Sequence, residues 1–281
     1  MTALLPITNF APFVEGLDHP EGVAWGPDGF VYAGGEAGQI YKIAPDGSSV
    51  TELGSTGGFI LGIALDAALN VYACDMGNGA IFRITQSGDV TKYSDYPEAI
   101  PAPNYPVFDQ QGNLYFSSSG AFRQNNGRLF RARPGGHTEV ISTAFTAFPN
   151  GLALSPDGRY LYVVLSTDSR VARAEIRADG TLSDPEPVCS VWRTIPDGLA
   201  FDEEGNLYIA CYTPDVIFRC TPAGVVDVFA EDWESVTFAT PTNIAFGGPD
   251  LKTLFVASLS RWHLTKGPVP VAGARLNYPA I

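Results

Sequence analysis

One motif recurs six times along this chain and leaves little freedom for its fold. A small or polar residue is followed by Gly, an apolar residue and Ala. A turn comes next, then Leu or Val and an aromatic residue. The motif reads Glu21-Gly22-Val23-Ala24 with Val31-Tyr32, and Leu61-Gly62-Ile63-Ala64 with Val71-Tyr72. It returns as Asn150-Gly151-Leu152-Ala153 with Leu161-Tyr162, and as Asp197-Gly198-Leu199-Ala200 with Leu207-Tyr208. Asn104-Tyr105-Pro106-Val107 with Leu114-Tyr115 is a degenerate copy, and Thr242-Asn243-Ile244-Ala245 with Leu254-Phe255 is the last. Successive copies start 40, 43, 46, 47 and 45 residues apart. That spacing suits a four-stranded propeller blade and is too long for a leucine-rich repeat. Helical repeats of similar length are excluded by the density of Asp-Gly and Gly-Asn turns between β-branched and aromatic runs.

Each unit reads as two hairpins. In the first, residues 22–25 form the inner strand and Pro27-Asp28-Gly29 the turn. Residues 30–33 and 39–43 form the second and third strands, and Asp46-Gly47 turns into a fourth at 49–53. Six units predict an all-β, six-bladed propeller with four antiparallel strands per blade, a single domain over 1–281. The segment 4–13 is expected to pair with the last blade and close the ring, which removes the open sheet edge. The 30 glycines and 22 prolines fit a chain with many turns, and 12% aromatic residues suit strands.

The net charge is −13, and no run of Lys or Arg occurs. Nucleic-acid binding needs a basic stripe, and an anionic membrane surface would repel this chain, so neither partner is expected. The N-terminus, Met1-Thr2-Ala3-Leu4-Leu5-Pro6, lacks a basic region and a long apolar stretch, so neither a signal peptide nor a membrane span is expected. Cys74, Cys189, Cys211 and Cys220 lack zinc-type spacing. A hairpin around Pro214 would put Cys211 opposite about Val216 and leave Cys220 out of reach. Reduced core thiols and a cytoplasmic location follow.

The first residues of the six inner strands meet at one mouth of the channel: Glu21, Leu61, Asn104, Asn150, Asp197 and Thr242. Asn and Asp often start strands simply as turn residues. Four acid or amide side chains at equivalent repeat positions are harder to explain that way. Inner strands are normally apolar, and such a ring would be costly without a partner. A hard divalent cation supplies one, because it takes several oxygen ligands in loose geometry. Ca²⁺ is the first expectation, with Zn²⁺, Mn²⁺ and Mg²⁺ as alternatives.

Three stretches carry a wider resemblance: Pro20-Glu21-Gly22, the run from Phe148 to Gly158, and Pro196-Asp197-Gly198-Leu199-Ala200. With the ending Phe246-Gly247-Gly248-Pro249-Asp250-Leu251, they resemble the senescence-marker-protein/gluconolactonase (regucalcin-like) family of six-bladed propeller hydrolases, over about residues 12 to 275. The resemblance implies one catalytic divalent metal held by Glu21, Asn150 and Asp197, with Asn104 as a fourth or substrate-side ligand. It implies hydrolysis of a lactone, a small-molecule cyclic ester, with Asp197 as general base or nucleophile. A metal that polarises the carbonyl and a carboxylate that activates water fit that chemistry. Sugar-lactone members carry Arg and Asp where this chain has Ala102 and Tyr105. A lactone less polar than gluconolactone, or another ester, is therefore expected.

Second strands return to the same mouth, so their ends should line a substrate cup. Candidates are Glu36, Asp75, Ser118, Ser119, Ser166, Tyr212, Ser258 and Ser260, with Phe59, Tyr105, Phe148 and Phe122 as aromatic walls. A metal floor under an aromatic cup suits a ligand with one polar reacting group and an apolar body. Tyr105, Asn104, Phe148, Ser119, Tyr212, Asp75 and His263 form the substrate-binding set, though Asp75 and His263 also read as ordinary loop residues. His19 reads as an outer neighbour of the metal, and His137 as an outer turn residue. No Gly-x-Ser-x-Gly elbow, phosphate-binding Gly-Lys loop or His-Glu-x-x-His zinc helix occurs. The alternatives are phosphotriester hydrolysis or ring opening and rearrangement on the same metal, or a non-catalytic ligand-binding propeller. A monomer is expected, because the ring closes its own edges.

Overall fold

The computed structural model describes residues 2–281. Twenty-four strands form six separate four-stranded antiparallel sheets, and the described residues hold just three helical turns of three residues each. The six sheets are the six blades. Their inner strands are Val23–Trp25, Ile60–Leu65, Pro103–Phe108, Pro149–Leu154, Ile195–Phe201 and Pro241–Gly247. In blade 1 the remaining strands are Val31–Gly34, Gln39–Ile43 and Val50–Ser55, within two residues of the expected limits.

Ring closure differs from the expectation in one respect. The strand that completes blade 6 is Ala11–Glu15, paired with His263–Pro268 from Ala11↔Lys266 to Glu15↔His263. The residues before it lie elsewhere: the backbone N–H groups of Leu4 and Leu5 donate to the carbonyls of Val228 and Phe229 in the outer strand of blade 5. The N-terminal segment thus staples two blades. The proline at position 6 explains the division, since it cannot donate to a ladder.

The repeated turn has a physical role. In blades 2, 3 and 5 an Asp accepts from two backbone N–H groups and from the amide of an Asn four residues on. The amide bonds, Asn70 to Asp66, Asn113 to Asp109 and Asn206 to Asp202, measure 2.7, 2.7 and 2.8 Å. The Asn of the turn is therefore half of a side-chain clamp that closes the first hairpin. The repeated Tyr of the second strand packs edge-on against the aromatic end of the next inner strand. Tyr72 meets Phe108, Tyr162 meets Phe201 and Tyr208 meets Phe246 at 4.9–5.1 Å between centroids. Second strands such as Val71–Asp75 and Leu114–Ser118 are buried throughout, because a blade covers each face. The outer strand Val50–Ser55 has no buried residue.

All four cysteines are free, and Cys211 lies opposite Val216 as the hairpin arithmetic requires. No helix among the described residues is long and apolar enough to cross a membrane.

Candidate metal centre and active site

The inner strands are irregular where they begin. In blades 2 to 6 the pairing with the second strand shifts register at the motif's first two positions, between residues 60 and 63, 103 and 106, 149 and 152, 196 and 199, and 241 and 244. A bulge re-aims a side chain that regular pleating would send into a blade. The approach is also strained. His19, Ala102, Phe148 and Thr240 hold left-handed φ angles of 41°, 46°, 55° and 58°, each immediately before a proline. Non-glycine residues adopt such angles at a cost and persist where the surroundings enforce them, most often at functional sites.

Glycine completes the convergence. A Cβ on Gly151 would lie 2.3 Å from the carbonyl oxygen of Asp197, so the inner strands of blades 4 and 5 approach more closely than any side chain permits. Hydroxyls from the preceding blade secure the carbonyls of the irregular segments. Ser117 Oγ donates to Asn150 O at 2.7 Å, Ser119 Oγ to Pro149 O at 2.8 Å, and Ser166 Oγ to Pro196 O at 2.7 Å.

Glu21, Asn104, Asn150 and Asp197 are buried, with at most 8% of each exposed. The Oδ1 atoms of Asn104, Asn150, Asp197 and Asn243 are buried without any hydrogen-bond partner. An unpaired buried acceptor forfeits about 1–3 kcal/mol, and Asn104, Asn150 and Asp197 share the motif's first position. Electrostatics agree. Burial pushes the Glu21 carboxyl well above the usual range, and the charge of Asp197 adds to the rise. Burial lifts Asp197 to about 8, against the lowering effect of the Asn150 amide. Two buried carboxylates that resist ionisation together, beside orphaned amide oxygens, are the donor set a hard divalent cation requires. The residues present fit the ion.

Several substrate-side candidates are engaged elsewhere. Asp75 is fully buried and accepts from Phe59 N at 3.0 Å, Asn78 N at 2.9 Å and Asn78 Nδ2 at 2.7 Å, so it closes a loop. His263 faces Thr237 O with Nε2 at 3.0 Å and Arg261 O with Nδ1 at 3.4 Å, so its ring N–H is spent on a backbone carbonyl. Ser119 accepts from Asn104 Nδ2 at 3.0 Å while donating to Pro149, and so orients Asn104 instead of meeting substrate. His19 lies within 3.0 Å of Asp18 and 2.6 Å of Glu36 in a partly exposed cluster at the rim. His137 pairs with Asp95 in an outer turn. Tyr212 is 40% exposed, and Phe148 meets the exposed Phe122 edge-on at 5.3 Å, so an aromatic surface remains available.

Tyr105 does not belong to the cup. It lines a cavity of about 220 Å³ in the other half of the channel, among Val23, Ile63, Leu152, Leu199 and Ile244. Burial raises its phenol, and the charge of Asp197 adds to the rise. Tyr105 is therefore the floor of the oxygen ring. The C-terminal segment closes the far end through Asn277 Nδ2 to Phe108 O at 2.9 Å and Tyr278 OH to Trp25 O at 2.6 Å. Asn243 stands in the last motif copy but was not among the expected site residues. Four repeats have Gly at that position and the remaining exceptions are Tyr105 and Asn243, which was the available signal.

Residues 20–260 match the family described as SMP-30/Gluconolactonase/LRE-like region. The chain belongs to that family. Among its relatives, Lactonase drp35 of Staphylococcus aureus (strain bovine RF122 / ET3-1) is 26% identical over 193 residues, 62% of this chain and 57% of that protein. The match thus spans little more than half the length of the curated relative. A gluconolactonase structure from Xanthomonas campestris superposes with a TM-score of 0.79 at 22% identity, over 93% of this chain and 89% of that one. Regucalcin from Agrobacterium tumefaciens, described as a calcium-binding protein, superposes with a TM-score of 0.78 at 18% identity, over 99% of each. At these identities the superpositions show the shared fold.

Proposed function

We propose that this family member is a divalent-cation-dependent lactonase acting on a lactone less polar than gluconolactone. The observation that carries the reading is the oxygen ring: two buried carboxylates and unpartnered amide oxygens at equivalent positions of a sixfold repeat. Glu21, Asn150 and Asp197 would hold the cation, with Asn104 as a further oxygen. When bound, the cation would polarise the ester carbonyl and stabilise negative charge on its oxygen. Asp197 does the proton work. Its carboxylate takes a proton from the water that adds to the carbonyl carbon and returns it to the ring oxygen as the acyl C–O bond breaks, or it attacks that carbon itself, expels the ring oxygen and is released when water hydrolyses the resulting acyl-enzyme. Ser117, Ser119 and Ser166 fix the backbone around these groups, so they need not reorganise during the reaction. Ala102 and the floor residue Tyr105 offer no charged grip on sugar hydroxyls, whereas Phe122 and Phe148 offer an apolar wall. The named lactonase and gluconolactonase relatives point to the same reaction class.

The test is elemental analysis of protein purified without added metal, before and after chelation, with a panel of aliphatic, aromatic and sugar lactones. One divalent ion per chain, with turnover lost on chelation and restored by Ca²⁺, supports the reading. Lactone turnover that survives complete metal removal overturns it. A chain that binds the ion but turns over phosphotriesters and no lactone keeps the site and replaces the substrate class.

A further inference from the structure

We propose that Asn243, aided by Thr242, is the positioning residue that sets the spacing between the two carboxylates of the oxygen ring. The proposal rests on the cation-site reading above. In blades 2 to 6 the residue just before each bulge is paired with the second strand: Ile60↔Asp75, Pro103↔Ser118, Pro149↔Leu165, Pro196↔Cys211 and Pro241↔Ser258. Blade 1 has no such pair, since its ladder starts at Val23↔Ala33. Glu21 is therefore held by its own sheet on one side alone.

Blade 6 supplies the missing support. Thr242 Oγ1 donates to Glu21 O at 2.9 Å, and Asn243 Nδ2 donates to the same oxygen at 3.0 Å. The other end of the Asn243 amide faces blade 5. A Cβ on Gly198 would lie 2.6 Å from Asn243 Oδ1, and Gly198 directly follows Asp197. One fully buried amide thus reaches from the backbone of one carboxylate residue to the backbone beside the other. Elsewhere a second-strand serine performs the simpler task, as Ser117 does for Asn150. The seam between blades 6 and 1 differs because the chain's two end regions meet there, joined through the strand Ala11–Glu15.

The experiment is a calorimetric Ca²⁺ titration of chelated full-length protein. Thr242→Val keeps the side-chain shape and removes the donor, and Asn243→Ala removes the spacer. Each is expected to weaken Ca²⁺ binding by roughly tenfold, the scale typical of groups that orient metal ligands. Thr242→Ser should restore wild-type affinity. Thr265→Val is the control: it removes an equally buried hydroxyl of blade 6, bonded to Thr237 O at 2.6 Å, and should lower the melting temperature without changing Ca²⁺ affinity. Wild-type affinity in both Thr242→Val and Asn243→Ala overturns the proposal, as does an equal loss in Thr265→Val. If the wild-type chain binds no divalent cation at all, the underlying site reading falls as well, and that result precedes any variant.

Discussion

The two halves of the central channel are built from the same six strands and obey different rules. Where the strands begin, they carry oxygen side chains, shifted registers and left-handed residues before proline. Three residues further on, they carry Ala or Val in every blade and pair regularly. The first half leaves acceptors orphaned, and the second surrounds a cavity with aliphatic side chains and Tyr105. The contrast sets buried oxygen atoms and aliphatic packing at two ends of a single strand. Regular pairing further along lets the strained entry persist, because the entry cannot relax without unzipping a well-packed blade.

Four substitutions or conditions can break or sharpen that contrast. Asp197→Asn should have the largest effect, a loss of roughly a thousandfold in lactone turnover with the far-ultraviolet spectrum and melting curve retained. Turnover near wild type in a folded variant would remove Asp197 from the chemistry. Glu21→Gln comes next. Removing one ligand charge should weaken Ca²⁺ binding by about tenfold or more, measured by titration of the chelated protein.

The pH dependence has a defined sign. Burial raises Asp197 to about 8, so between the ordinary Asp value near 3.8 and about 8 the folded chain holds more protons than the unfolded chain. Stability of the metal-free protein should therefore be greatest in mild acid and decline as pH rises toward 8. Ca²⁺ affinity should rise over the same range, with protons released on binding. Melting curves and titrations in two buffers of different ionisation enthalpy check both statements. The smallest effect belongs to the other half of the channel. Ile63→Val should destabilise the protein by about 0.5–1.5 kcal/mol and leave Ca²⁺ affinity within about twofold. A large loss of affinity there would mean that the two halves are not independent.

Much of this was legible in advance. The six motifs count the blades, and Glu21, Asn104, Asn150 and Asp197, which stand at the motif's first position, are all buried. The substrate side was read less well. Asp75 and His263 are polar residues at second-strand ends, as a cup residue would be, yet both are consumed by neighbouring loop and backbone groups. Tyr105 stands one position from Asn104, and the irregular strand sends it to the floor instead of the wall. Asn243 was overlooked because Thr242 occupies the formal ring position, although Asn where four repeats hold Gly was a visible exception.

The sequence by itself determined the number of blades, the hairpins within each and the repeat position that oxygen side chains share. Those follow from periodicity and turn chemistry, which are local. Tertiary structure alone decided which oxygens are left without partners, which carboxylates are pushed up, and which residue braces Glu21. These depend on what the adjacent blade offers across a seam, and neighbours brought together from 221 and 222 residues away leave no trace in a local pattern.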